Sequence, residues 1–291
     1  MYASLRVLIR SLIGKGRRDA LLERKIADLD QLMIKLHLHR NFGFVSPLAH
    51  DTRHVLVKDS NGLGLVVPIR SLGTISGVRN DYPRPKPGDV VIDVGAHYGL
   101  YSCMCSRLVG NRGLVLSFEP NHTNYQHLLV NMRMNNIHNI KPYEVALGDL
   151  NGQTTLYISD DSEGHSVKLK RSNSSTQINI RILDSIVEEL KIDHVNIIKV
   201  DVEGAELDVL KGASDTLKRF CPILSISAYH YHNELAEVVE WISSHFGFYK
   251  IEKTARAIVW CVSTNKDDKK VDSSYAVSQS CRVARLIKDG V

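Results

Sequence analysis

Acidic residues recur in this 291-residue sequence at one kind of place, directly after a short apolar run. Val90-Val91-Ile92 leads to Asp93, Leu116-Ser117-Phe118 to Glu119, and Ile197-Ile198-Lys199-Val200 to Asp201 and Glu203. Ala146-Leu147-Gly148 leads to Asp149, and the run from Ile223 to Ala228 ends at Tyr229 and His230. Such runs suit buried parallel strands, and loop acids placed at random would not keep this register. Ligands of a doubly wound sheet bind outside the carboxyl ends of its strands, so these side chains converge on one crevice. Gly95 and Gly99 follow the first acid, where backbone must bend sharply or come close to a ligand. Glu119 lies twenty-four residues after Gly95, near the offset at which a second-strand acid accepts hydrogen bonds from both hydroxyls of a ribose. The turn Gly95-Ala96-His97-Tyr98-Gly99 lacks the three-glycine spacing that seats a pyrophosphate, which argues against a dinucleotide site.

The elements that must position these residues alternate. Strands are expected at 90–94, 114–118, 140–145, 195–200 and 223–228, and helices at 100–108, 123–135, 183–190, 205–217 and 233–245, with Gly212 placed to stop the helix begun near Ala205. That order implies an α/β, doubly wound, mainly parallel sheet with right-handed crossovers. Two further strands, 248–253 and 257–262, are too close together to join except as an antiparallel hairpin. Between Asp149 and Asn179, strands at 154–158 and 178–182 flank a polar insertion, 159–176, which at that length and place is read as a lid over an acceptor. Period-two runs at 54–58 and 65–70 around Asn61-Gly62 predict a small β extension, and Pro83, Pro85 and Pro87 a stiff linker. The expected organisation is therefore basic N-terminal helices over 1–45, β extension and linker over 46–88, a catalytic domain over 89–264, and a linker and tail over 265–291.

The motifs Val-Ile-Asp-Val-Gly-Ala-His-Tyr-Gly-Leu-Tyr-Ser (91–102), Ser-Phe-Glu-Pro-Asn (117–121), Ala-Leu-Gly-Asp (146–149) and Ile-Lys-Val-Asp-Val-Glu-Gly-Ala-Glu (198–206) resemble those of the FkbM-type S-adenosylmethionine-dependent methyltransferases. The resemblance covers about 90–262 and implies a seven-stranded class I methyltransferase, Rossmann-like sheet with its terminal antiparallel hairpin. It implies that Asp93, Gly95 and Gly99 shape a methionine pocket and that Glu119 holds the ribose. Ala146 and Leu147 would lie near the adenine, and Asp201 near the methionine amino end. His97 stands where the family usually has asparagine; both can donate a hydrogen bond.

Methyl transfer from a sulfonium needs the acceptor held in line and, for a hydroxyl, a base nearby. His230 is the expected base, with Asp201 and Glu203 competing and a structural histidine weighed equally. No metal is expected, because the valine and glycine spacers and helix entry at Ala205 should splay Asp201, Glu203, Glu206 and His230. The expected activity is O-methylation of a glycan, lipid-linked sugar or small metabolite by S-adenosylmethionine. An RNA methyltransferase and a non-catalytic cofactor-fold scaffold are the alternatives.

Composition sets the outer bounds. With 43% hydrophobic and 24% charged residues the chain is an ordinary globular one. Residues 1–45 hold nine Lys or Arg against four acids, which accounts for the whole net charge of +5. Their apolar positions recur at helical spacing in 5–12 and heptad-like spacing in 22–36, which fits packing on the domain, a homodimer contact or peripheral attachment to an anionic membrane. His37 and His39 point to different helix faces and are read as structural or solvated. The basic residues lack interleaved aromatics, which disfavours nucleic acid. Five cysteines without framework spacing and no long apolar span point to a cytoplasmic protein with reduced thiols.

Overall fold

The structure, a computed structural model, describes residues 44–48, 51–58, 62–68, 82–159, 164–170, 172–254 and 258–264. The expected N-terminal helices, the heptad-like seam, His37, His39 and the tail lie outside the described residues, as do 160–163 and 171 of the insertion.

Seven strands form the central sheet. Parallel strands β4 (Val90–Val94), β5 (Leu114–Phe118), β6 (Ile140–Tyr143), β10 (Ile197–Val200) and β11 (Ile223–Ser227) carry its centre, and β12 (Tyr249–Lys253) and β13 (Ile258–Ser263) close one side. The order is β12-β13-β11-β10-β4-β5-β6, with β13 antiparallel to both β11 and β12. From β4 the chain steps outward to β5 and β6, then crosses back to β10. The order therefore reverses between β4 and β10, which is where such a sheet opens a ligand crevice. Helices α1 (Leu100–Val109), α2 (His122–Met134), α3 (Leu183–Glu189), α4 (Glu206–Lys211), α5 (Ser214–Phe220) and α6 (Glu234–His245) supply the crossovers. Alternate strand residues serve two separate cores, Ile92, Val94, Leu116 and Phe118 on one face and Val91 and Val115 on the other. This is the doubly wound, mainly parallel architecture with a terminal hairpin that the sequence predicts. Among the described residues no helix is long and apolar enough to cross a membrane.

The expected helix over 205–217 is two helices. A Cβ at Gly212 would fall 1.9 Å from the Gly148 carbonyl oxygen, so the chain passes another backbone there and turns before α5 begins. The expected third strand also ends early, at Tyr143. Ala146–Leu147 is instead a short strand, β7, of a separate sheet, paired to β9 (Ser175–Arg181), which pairs in turn with β8 (Gly152–Tyr157). Asp149 is exposed beyond β7 and leaves the row of acids at the main sheet's strand ends.

The N-terminal β extension is an antiparallel sheet of β1 (Phe44–Leu48), β2 (Asp51–Lys58) and β3 (Gly64–Pro68). Leu63, Leu65 and Val67 bury themselves in the core that holds Tyr98 and Tyr101. Asn131 on α2 and Asn135, which caps the C-terminus of that helix, read the backbone of β3. Asn131 Oδ1 accepts from Val66 N at 2.7 Å while its Nδ2 donates to the Val66 and Tyr98 carbonyls. Asn135 Oδ1 accepts from Gly64 N at 3.0 Å, and its Nδ2 donates back to the Gly64 carbonyl. Side-chain amides thus occupy strand backbone groups that would otherwise template a foreign strand.

Candidate functional site

The turn after β4 is stitched to the end of β5. Gly95 N and Ala96 N both donate to the Phe118 carbonyl, at 3.0 and 2.9 Å, and His97 N donates to Glu119 Oε2 at 2.8 Å. Gly95 has φ +78°, and a Cβ there would sit 1.8 Å from the Asp201 carbonyl oxygen, so only glycine lets the β4 turn lie against the end of β10. On its other side Glu119 Oε1 accepts from Asn121 N at 3.0 Å and Asn124 Nδ2 at 3.4 Å. Asn121 then caps α2, its side chain accepting from Asn124 N at 3.0 Å. Burial pushes the Glu119 carboxyl up to about 7, because three neutral donors only partly replace lost water. A carboxylate offers about four lone-pair positions, so Glu119 keeps room for a further donor. His97 sits with its ring 3.6 Å from Tyr98, and burial, aided by the Lys199 and His165 charges, holds its imidazole down at about 3 and therefore neutral.

Asp93 does not face the crevice as a bare acid. It is fully buried, accepts from Ser102 Oγ at 2.5 Å and pairs with Lys199 Nζ at 3.1 Å. Lys199 Nζ also donates to the Gly95 carbonyl at 2.7 Å, so Asp93 fixes the turn through a buried lysine. Burial alone would lower the lysine pKa, but Asp93 and Asp201 outweigh it and raise it. A lysine inside an apolar strand run was the signal that sequence reading passed over. Gly99 is the N-cap of α1, and Ala146 and Leu147 are buried in β7.

The third group of acids surrounds an imidazole. His230 Nε2 lies 3.6 Å from Asp201 Oδ1 and 3.4 Å from Glu203 Oε1. Its Nδ1 lies 3.3 Å from Glu206 Oε1 and 3.1 Å from Glu234 Oε2. Burial by itself would lower the histidine pKa, but the four carboxylates raise it far above its ordinary value. The four carboxylates thus favour the protonated ring, whereas a base needs the neutral one. Asp201 and Glu203, its expected competitors, are the carboxylates on the Nε2 side. Burial raises Asp201, but His230 and Lys199 outweigh it and hold it at about 2. Tyr82, from the proline-rich linker, donates to Asp201 Oδ2 at 2.9 Å. Nothing in its local sequence announces that contact.

The expected splaying of these acids does not occur. Glu203 and Gly204 both take positive φ, +60° and +104°, and the turn folds back on Glu206, whose oxygens accept from Val202 N at 2.8 Å and Gly204 N at 2.9 Å. One ligand atom from each of Asp201, Glu206 and His230 then lies within 4.8 Å of the others. Part of the insertion crosses this turn. Ser166 Oγ donates to the Glu203 carbonyl at 2.7 Å, and Leu169 packs over Gly204.

A family model described as the methyltransferase FkbM domain matches residues 93–249, which spans all three groups of acids. The chain belongs to the FkbM methyltransferase family. Among relatives of this FkbM chain, it is 28% identical over 153 residues to Methyltransferase 1 of Beauveria bassiana, covering 45% of this chain and 61% of that one. It is 32% identical over 130 residues to the hexuronic acid methyltransferase AglP of Haloferax volcanii, covering 45% and 52%. The match thus spans between about half and three fifths of the length of those relatives. A solved methyltransferase FkbM from Methylobacillus flagellatus KT aligns over 64% of this chain and 46% of its own, at 22% identity and TM-score 0.49.

Proposed function

We propose that this FkbM-family chain transfers a methyl group from S-adenosylmethionine to a hydroxyl of a glycan, lipid-linked sugar or small metabolite. The observation that carries the cofactor reading is Glu119: a buried carboxyl at the strand end next to the switch point, held by backbone N–H groups, with acceptor capacity to spare for a ribose diol. The Gly95 to Gly99 turn would receive the methionine portion, Ala146 and Leu147 would border the adenine, and Asp201 would meet the amino end. When bound, the cofactor supplies an electrophilic methyl group on a cationic sulfur.

The protein's part is positioning and charge. Asp93 and Lys199 hold the floor of the turn, the neutral His97 presents its backbone to Glu119, and the acids around His230 favour positive charge at the end of β10. A glycan-type acceptor is supported by a relative, matched at 32% identity, that is named for hexuronic acid methylation. Incubation with labelled cofactor and a panel of sugars and hydroxylated metabolites tests the reading. The expected result is label in one acceptor class with formation of S-adenosylhomocysteine, which a non-catalytic scaffold would not form. Absence of cofactor binding by calorimetry would overturn it.

A further inference from the structure

The group around His230 has a charge problem that the methyl-donor reading does not solve. Four carboxylates, Asp201, Glu203, Glu206 and Glu234, face one imidazole, while Lys199, whose charge also acts on Asp201, is committed to Asp93 and the Gly95 carbonyl. Glu206 and Glu234 are buried almost completely, as is the His230 ring at 2% exposure. A surplus of buried negative charge is costly unless protons or a metal offset it.

Acidic residues in number do not make a metal site, and two further features distinguish this group. His230 Nε2, although buried, has no hydrogen-bond partner, and neither has Asp201 Oδ1, the atom it faces at 3.6 Å. The donor atoms of Asp201, Glu206 and His230 also converge from three separate places in the fold: the end of β10, the start of α4 and the end of β11.

We infer that Asp201, Glu206 and His230 form a binding site for one divalent transition-metal ion. Donors bound at about 2.1 Å stand about 3 Å apart at right angles and about 4.2 Å apart when opposite. His230 Nε2 lies 3.6 Å from Asp201 Oδ1, between those two separations, and one ligand atom from each of Asp201, Glu206 and His230 lies within 4.8 Å of the others. One imidazole with two carboxylates suits manganese, iron(II) or zinc better than calcium, whose ligands are all oxygen. The backbone N–H bonds from Val202 and Gly204 orient the Glu206 carboxylate, as outer partners orient metal ligands elsewhere. The approach is from the side of Asp201 and Glu203, whose side chains are 22% and 19% exposed while the rest of the group is closed.

The test uses the full chain, stripped with a chelator and titrated with Mn2+ while the free ion is followed by electron paramagnetic resonance. The expected result is one equivalent bound per chain, with nitrogen coupling in the pulsed spectrum from the His230 ring. Asp201→Asn and Glu206→Gln should each weaken binding by about tenfold or more, and His230→Gln should remove the nitrogen coupling. Circular dichroism on each variant separates a lost ligand from a lost fold, and the nitrogen coupling in the unsubstituted chain stands even if a variant fails to fold. Failure of the folded, unsubstituted chain to bind Mn2+ or Zn2+, or binding without nitrogen coupling, overturns the inference. Since no arm measures methyl transfer, failure of the proposed activity and failure of the metal site are read separately.

Discussion

The end of β5 and the paired ends of β10 and β11 both present buried acid, and they satisfy it by different means. Glu119 is held by neutral donors, two backbone N–H groups and an amide, and stays poised near neutrality with capacity left over. The acids around His230 also take neutral donors, at Asp201, Glu206 and Glu234, but what they share is the charge of one imidazole. Neutral donors fix the direction of a carboxylate while leaving it able to bind a neutral polyol, whereas a charge cluster selects for charge and resists anything without it. One residue type at equivalent strand ends thus serves two kinds of recognition, and the partners decide which.

The sharpest way to break this comparison is to remove one holder from each region. In the ligand-free chain, His230→Ala leaves four carboxylates without their cation and should cost about 3–5 kcal/mol in urea unfolding. Glu119→Ala, which leaves only neutral donors unpaired, should cost about 1–3 kcal/mol. Equal losses would mean that charge does not hold the second group. In cofactor binding the order reverses: Glu119→Ala should lose charge-assisted hydrogen bonds of about 1.5–3 kcal/mol, some 10–100-fold in affinity by calorimetry. Unchanged affinity would remove Glu119 from the ribose role. Tyr82→Phe, which deletes a single hydrogen bond to the Asp201 carboxylate, should lower stability by about 1.5 kcal/mol.

The most gradual effect is with pH. Glu119 and Glu206 have folded values of about 7 against an unfolded 4.5, so their contribution is complete below 4.5 and lost as pH rises through 7. His230, raised from 6.5, adds a loss that begins above 6.5 and continues beyond it. Asp201, lowered to about 2, works against stability only in strong acid, and His97, lowered to about 3, adds stability as pH rises towards 6.5, one group opposing the two carboxyls. The melting temperature of the ligand-free chain should therefore fall steadily from pH 5 to 9, and His230→Gln should flatten the part above 6.5. A melting temperature that rises over that range would contradict the assignment of these groups.

The central strands were legible because each is an unbroken apolar run, and β4, β5 and the helix α2 fall within a residue or two of expectation. Asp93, Glu119, Asp201, Glu203 and His230 were legible as strand-end residues, since that position follows from strand order alone. Their states were not. His230 is pushed towards its charged form because four acids from three elements meet it, and Asp93 works through Lys199, 106 residues away in the chain by number. The carboxylates expected to splay are drawn together by positive φ at Glu203 and Gly204, a conformation that spacing does not encode for a non-glycine residue. Ala146 and Leu147 moved to a separate sheet because their pairing partner, β9, lies beyond the insertion.

The bond from Tyr82 to Asp201 spans 119 positions and joins the linker to the heart of the crevice. It makes the region matched by the family model too small a unit to cut out. A chain trimmed to 93–249 would lose the phenol that steadies Asp201 and all of β13, baring the hydrogen-bonding edge of β11 to self-association. Any shortened version made for crystallisation should therefore begin before Tyr82 and run past Ser263.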